Sequence, residues 1–171
     1  MKHPDHALLI FIKNAKKGQV KTRLAASVGE DKALKIYQAL MKHTREVALA
    51  VAAQRLLFYS QEIVEDEWSP NHFQKTIQQG PDLGARMEVA FQQALSKYSK
   101  AIIIGSDCAS LTPAIIASAF DLLDQHPFVI GPALDGGYYL LGMRQMEQDL
   151  FRAMPWSTEK VLEETKRRIR E

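Results

Sequence analysis

Cysteine is almost missing from this chain. Cys108 is the one thiol in 171 residues, so an intrachain disulfide is excluded. That suits a reducing compartment. Cys108 follows Asp107, but no histidine accompanies it in a Cys/His signature, and it reads as a small, partly buried residue. Long apolar runs are missing too: nothing approaches the roughly 20 residues of a membrane-spanning helix. The opening Met1-Lys2-His3-Pro4-Asp5-His6 has no apolar stretch of the signal-peptide kind. We therefore expect a cytoplasmic protein with no membrane partner. A dominant charge is also lacking. Twenty-two Lys and Arg against 20 Asp and Glu leave a net +2, which calls for neither nucleic acid nor anionic lipid. The basic cluster Lys166, Arg167, Arg168, Arg170 reads as a solvated helix end complementing the helix dipole. Two phosphate-binding signatures are absent as well. There is no Gly-x-x-x-x-Gly-Lys-[Ser/Thr], and the first basic loop has only Gly18 where a dinucleotide fingerprint needs three glycines.

What remains has a globular composition, 46% hydrophobic and 25% charged, and a length that suits one domain spanning residues 1–171. Apolar runs alternate with helical periodicity. Strands are expected at 7–13, 55–59, 75–78, 101–104, 128–130 and 138–141. Helices are expected at 30–53, 83–98 and 112–125, with a last amphipathic helix capped by Ser157 or Thr158. In the long helix the inward stripe is Leu34, Tyr37, Leu40/Met41, Thr44, Val47/Ala48 and Val51. Residues 60–73, acidic and interrupted by Pro70, look least ordered. Strands alternating with helices imply a layered α/β sheet.

Chemistry concentrates at four places. Ala101-Ile102-Ile103-Ile104 has the look of a buried parallel strand, and Gly105-Ser106-Asp107 follows it. An acid at that strand end either holds a divalent cation or caps the following helix or turn. The loop Lys13 to Leu24 crowds Lys13, Lys16, Lys17, Lys21 and Arg23 after the first strand, which suits phosphate or a solvated basic loop. In Gly80-Pro81-Asp82-Leu83-Gly84-Ala85-Arg86, Asp82 caps a helix, and Arg86 one turn on either faces the same cleft or solvent. In Gly131-Pro132-Ala133-Leu134-Asp135-Gly136-Gly137-Tyr138-Tyr139, an acid and paired glycines join two strands. Asp-Gly is a common hairpin turn, and paired glycines also let backbone approach a ligand. Trp156, before Ser157-Thr158, reads as a hydrophobic staple or an acceptor-site wall.

Together these blocks resemble the small bacterial glycosyltransferase-like family known as arsenosugar-biosynthesis or radical-SAM/selenodomain-associated transferases, within the nucleotide-diphospho-sugar transferase superfamily of GT-A fold. The matching pieces are Lys13 with Gly18 to Ala25, Asp82 to Met87, Gly105-Ser106-Asp107, Gly131 to Tyr139, and Trp156-Ser157-Thr158, in the family's order. The resemblance implies a three-layer α/β/α, Rossmann-like fold with a mixed, mostly parallel sheet. It implies a Mg2+ or Mn2+ ion at Asp107 and nucleotide binding by Lys13, Gly18, Lys21, Arg23, Asp82, Arg86 and Ser106. Lys21 and Arg23 would face the diphosphate, Asp135 would lie beside the sugar, and Gly136, Gly137, Tyr138 and Trp156 would meet sugar or acceptor. Three positions depart from the family pattern. Ala15 and Ala109 stand where proline is common, and His43 stands where the long helix commonly carries an aspartate.

The activity expected is glycosyl transfer from a nucleoside-diphosphate sugar to a small-molecule acceptor, with Asp135, Lys21 and Arg23 as the catalytic candidates and Asp135 either helping to hold the metal or acting as general base on the acceptor hydroxyl. The rival is nucleotidyl transfer from a nucleoside triphosphate to a phosphorylated substrate. A non-catalytic nucleotide-binding protein is the third reading. With so short a chain, the acceptor site is expected to be open or completed by a second subunit.

Overall fold

The computed structural model describes residues 4–171; Met1, Lys2 and His3, part of the start read above for a leader, lie outside them. In chain order the elements are β1 (His6–Ile12), α1 (Thr22–Val28), α2 (Glu30–Leu49), β2 (Gln54–Tyr59), β3 (Gln74–Ile77), α3 (Leu83–Leu95), β4 (Lys100–Ile104), α4 (Pro113–Leu122), β5 (Phe128–Pro132), β6 (Tyr138–Met143) and α5 (Val161–Arg170), with one 3-10 turn at Gln148–Leu150. The sheet order is β3-β2-β1-β4-β6-β5. β3, β2, β1 and β4 run parallel, while β6 is antiparallel to both β4 and β5.

Burial on both faces explains the aliphatic strands. Along β1, Leu8, Ile10 and Ile12 pack with Val47 and Ala48 of α2 and with Ile116, Ala119 and Phe120 of α4. The alternate residues Ala7 and Leu9 pack with Met87, Ala90, Phe91 and Ala94 of α3, and Ile169 of α5 leans on the same cluster. β4 divides likewise, with Ile102 and Ile104 on one side and Ala101 and Ile103 on the other. The result is the expected three-layer α/β/α arrangement with a mixed, mostly parallel sheet. β1 leads outward to β2 and β3, whereas β4 lies on its other side. Their carboxyl ends therefore flank a topological switch point, where connections diverge and leave a crevice.

The local differences have physical causes. α2 stops at Leu49, four residues before the expected end, and Arg55 takes up the freed carbonyls of Ala48, Leu49 and Val51. α1 has no strong periodicity and buries none of its side chains, so the sequence hides it. Residues 60–73 are irregular but anchored: Trp68 is 1% exposed and meets Phe73 edge-on at 4.9 Å. The last helix starts at Val161, and its cap position, Lys160, makes no side-chain capping bond. Thr158 bonds the backbone just before it, donating to Pro155 O and accepting from Lys160 N. At α4, Thr112 caps from the expected place, accepting from Ile115 N at 3.3 Å, with Pro113 in the first turn.

Candidate functional site

A cleft of about 960 Å³ opens over the carboxyl ends of β1 and β4 and the start of β6. β1 brings Lys13, and the loop beyond it brings Lys21 and Arg23. β4 delivers Ser106 and Asp107, while the β5–β6 turn brings Asp135, Gly137 and Tyr138. The segment before α5 closes the far side with Trp156, Ser157, Thr158 and Glu159.

The basic loop divides its cations. Lys16 pairs with Glu62 at 2.7 Å and Lys17 with Asp31 at 3.0 Å, both off the cleft. Lys21 turns inward, its Nζ 3.5 Å from Asp107 Oδ2, with 26% of the lysine side chain and 67% of the aspartate side chain exposed. The Lys21 backbone is left-handed, at φ 49°, an unfavourable conformation for a side chain with a Cβ. Ala15, in place of proline, does not leave this loop unsupported. Asn14 is buried and accepts from Gln61 N at 3.0 Å, while its amide donates to Glu62 O at 2.8 Å. That anchor gave no signal in the sequence beyond a polar residue in a polar loop.

Asp107 does not cap α4, whose cap is Thr112. Next to it, Ser106 is buried and lies 3.2 Å from the Tyr37 hydroxyl. The same hydroxyl accepts from Lys13 N and donates to Lys13 O, each at 2.8 Å. Tyr37 thereby ties the ends of β1 and β4 together, a function its place in a helical apolar stripe did not disclose. Burial pushes the Tyr37 phenol above its ordinary pKa, with the Asp107 charge adding to it. The bonds to Ser106 and Lys13 oppose the rise without cancelling it, so the group is neutral at physiological pH.

Asp135 serves the β5–β6 turn and also faces the cleft. One oxygen accepts from Gly137 N at 3.0 Å, as a turn aspartate does, and the residue lines the cleft. Gly136 lies behind the lining. Its φ is 84°, and an added Cβ would stand 2.2 Å from Glu159 O; its own carbonyl accepts from Leu162 N at 2.8 Å, joining the turn to α5.

Three other expected residues frame the cleft without lining it. Asp82 caps α3, accepting from Ala85 N at 2.8 Å, and Arg86 Nε donates to Gly80 O at 3.0 Å. Their neighbours Leu83 and Met87 line the cleft instead. Gly18 turns the basic loop at φ 77° beside Glu30. Trp156 packs into the α3-side core and also lines the cleft, and Gly84 leaves it room: a Cβ there would come within 2.5 Å of Trp156 Nε1 and Phe151 O. Gln78, which received no role from the sequence, also lines the cleft. It donates to Ile12 O and Phe58 O, each at 3.1 Å, linking β1 and β2. His43 is structural, with Nε2 2.8 Å from Leu111 O.

Among the described residues no group of three or more His, Cys, Asp or Glu side chains stands ready to hold a metal. A lone carboxylate at the strand end fits a small hard cation only if phosphate and water complete its oxygens. Among the described residues no helix is long and apolar enough to cross a membrane.

Residues 36–158 match the family described as "Uncharacterized protein conserved in bacteria (DUF2064)". No curated protein sequence matches the chain. Among solved structures, a Desulfovibrio desulfuricans G20 protein provisionally described as a nucleotide-diphospho-sugar transferase superposes with a TM-score of 0.88 at 30% identity, over 98% of this chain and 76% of that one. A cytidylyltransferase from Leptospira borgpetersenii serovar Hardjo-bovis (strain JB197) follows at 0.61 and 13% identity, over 96% of this chain and 72% of that one. A CMP:2-keto-3-deoxy-manno-octonic acid synthetase complexed with CTP stands at 0.56 and 11%, over 96% and 84%. The last two likenesses concern the fold alone. With a family model matched over most of its length and a sheet that superposes on that of the Desulfovibrio protein, the chain belongs to the DUF2064 family of bacterial proteins and has the nucleotide-diphospho-sugar transferase fold.

Proposed function

We propose that the chain transfers a glycosyl group from a nucleoside-diphosphate sugar to a hydroxyl of a small acceptor, with Mg2+ or Mn2+ at Asp107. The observation that carries this reading is the Lys21–Asp107 pair, 3.5 Å apart in a cleft that Asp135 also lines. Its two cationic neighbours, Lys13 and Arg23, suit a diphosphate. The likeness to the Desulfovibrio protein agrees with that ligand class.

In the reaction proposed, the acceptor oxygen forms a bond to the anomeric carbon while the bond to the diphosphate breaks. The electron pair departs with the nucleoside diphosphate, and the acceptor proton passes to Asp135. Lys21 and Arg23 balance charge gathering on the leaving group. An opposite charge about 4 Å away is worth only ~1 kcal/mol in water but roughly 4 kcal/mol at an effective dielectric near 20, so partial enclosure decides how much they contribute. A cation at Asp107 would supply further Lewis-acid stabilisation of the same phosphates.

Calorimetry with UDP, CDP, ADP and GDP, each with and without Mn2+, tests the reading. Binding strengthened by Mn2+ in the wild type, and insensitive to Mn2+ in Asp107→Ala, is the expected result. Absence of nucleotide binding sinks the proposal. The rival, nucleotidyl transfer, draws on the fold shared with the CTP-complexed synthetase. Products separate the two: nucleoside diphosphate marks glycosyl transfer, pyrophosphate the rival.

A further inference from the structure

Gln78 lies across the ends of two strands. It follows β3, and its backbone N–H donates to Tyr59 O at 2.9 Å, continuing the β2–β3 ladder for one more residue. Its side chain then reaches back over β2 to β1, where Nε2 donates to Phe58 O and Ile12 O, each at 3.1 Å. Both amide hydrogens are thereby used, and the two carbonyl partners fix which end of the amide is nitrogen. The Ile12–Lys13 peptide that accepts from Gln78 also donates its N–H to Tyr37, so the platform beneath the amide is held from two sides. The oxygen end of the amide is different. Among the described residues Oε1 accepts no hydrogen bond, and the half-buried side chain leaves it open toward the cleft that Gln78 lines. The result is an acceptor held firmly at the cleft, with no side-chain donor left beside it.

We infer that Gln78 Oε1 reads the nucleobase of the nucleotide and selects an amino base, cytosine or adenine, over its keto counterpart, uracil or guanine. The inference rests on the transferase reading above and extends it to the base. Exocyclic groups project furthest from the ring. At that position cytosine and adenine carry an amino donor, whereas uracil and guanine carry an acceptor oxygen. A free amide can satisfy the uracil imide by giving one hydrogen bond and taking another. Gln78 cannot, because its N–H groups are committed to Ile12 and Phe58. A keto oxygen facing Oε1 would set two acceptors together and leave both unpaired once water is displaced. Position suits the role as well. The amide stands over the strand end that leads into Lys13, which lines the cleft with Lys21 and Arg23, so a base read there joins through its ribose to phosphates at the basic loop.

Calorimetric titration of CDP, UDP, ADP, GDP and inorganic pyrophosphate, each with Mn2+ present, into wild type, Gln78→Met and Gln78→Lys tests the assignment. In wild type the amino base should bind about tenfold more tightly than its keto counterpart, CDP over UDP and ADP over GDP, with the ratio read in the ring class that binds better. Gln78→Met removes the acceptor, so the ratio falls to about one while pyrophosphate affinity stays within about twofold of wild type. Gln78→Lys keeps N–H donors for Ile12 O and Phe58 O and puts a donor where the oxygen was, so the ratio inverts toward UDP or GDP. Its added charge acts on the phosphates of every nucleotide alike and cancels from the ratio. Equal binding of amino and keto bases by wild type, or a ratio unchanged in Gln78→Met, overturns the inference and leaves the transferase reading standing. A fall in pyrophosphate affinity parallel to that of CDP overturns it as well, since Gln78 would then act only through the strand ends. Absence of binding by all four nucleotides removes the transferase reading and this inference with it.

Discussion

The hydroxyl of Tyr37 stands between Ser106 Oγ, at 3.2 Å, and both backbone polar groups of Lys13, at 2.8 Å, so one side chain of α2 fixes the two strand ends that bound the cleft. Tyr37→Phe should leave the fold intact but cost about 1–2 kcal/mol of stability, since Lys13 N–H loses its acceptor. Nucleoside diphosphate affinity should fall several-fold, and Ser106→Ala should add little on top of it. A double-mutant cycle on affinity reads this coupling directly; full additivity would mean the two residues act separately.

Gly136 and Gly29 make a matched pair for separating backbone strain from steric exclusion. Both have left-handed φ, 84° and 89°, but a Cβ at Gly136 would meet Glu159 O at 2.2 Å, whereas one at Gly29 would meet nothing within 4 Å. Gly29→Ala should cost about 1–2 kcal/mol. Gly136→Ala should cost roughly 2–4 kcal/mol and loosen the contact between the β5–β6 turn and α5. Denaturant unfolding of both variants gives the comparison.

Trp68 anchors a segment that otherwise reads as loose. Trp68→Ala should cost about 3–5 kcal/mol, as for a large buried aromatic. Glu65→Ala, three residues earlier at an exposed position, should change stability by less than about 0.5 kcal/mol. Equal small effects in thermal melts would show that residues 60–73 do not contribute to the core.

Glu164 links acidity to the seating of α5. Its carboxylate accepts from Arg167 and Arg168, and these bonds, Arg167 first, hold its pKa down to about 2 from an ordinary 4.5. Arg168 in turn donates to the carbonyls of Asp149, Arg152 and Ala153. A depressed carboxylate pKa contributes stability that is present above the unfolded value and disappears as pH falls through the folded one. The melting temperature should therefore decline between pH about 4.5 and about 2 in wild type, and less steeply in Glu164→Gln. Arg167, the stronger partner, is 54% exposed and Glu164 25%, so solvent screens the interaction and the difference should be small. Identical pH profiles would remove Glu164 from the account.

The sheet was legible because its strands are buried on two faces, and Ala101 to Ile104 can hardly be anything else. The acids at the strand ends were legible for a related reason: Asp107 and Asp135 sit where glycine and a change of periodicity mark a turn. Less could be read where a residue's partner is remote in sequence. Tyr37 meets Lys13 across 24 positions and Ser106 across 69, and Asn14 meets Glu62 across 48. Asp82 and Arg86 show the converse. Their spacing put them one turn apart, but local bonds to Ala85 and Gly80 occupy them at the cleft's margin.

α1 carries Thr22, Arg23 and Leu24 into the cleft, yet none of its seven residues is buried, and left-handed Lys21 and Gly29 bracket it. The wall it forms is thus energetically separable from the sheet beneath. Changes there can reshape this side of the cleft while the risk of collapse stays low, giving the scaffold room to diversify over evolutionary time.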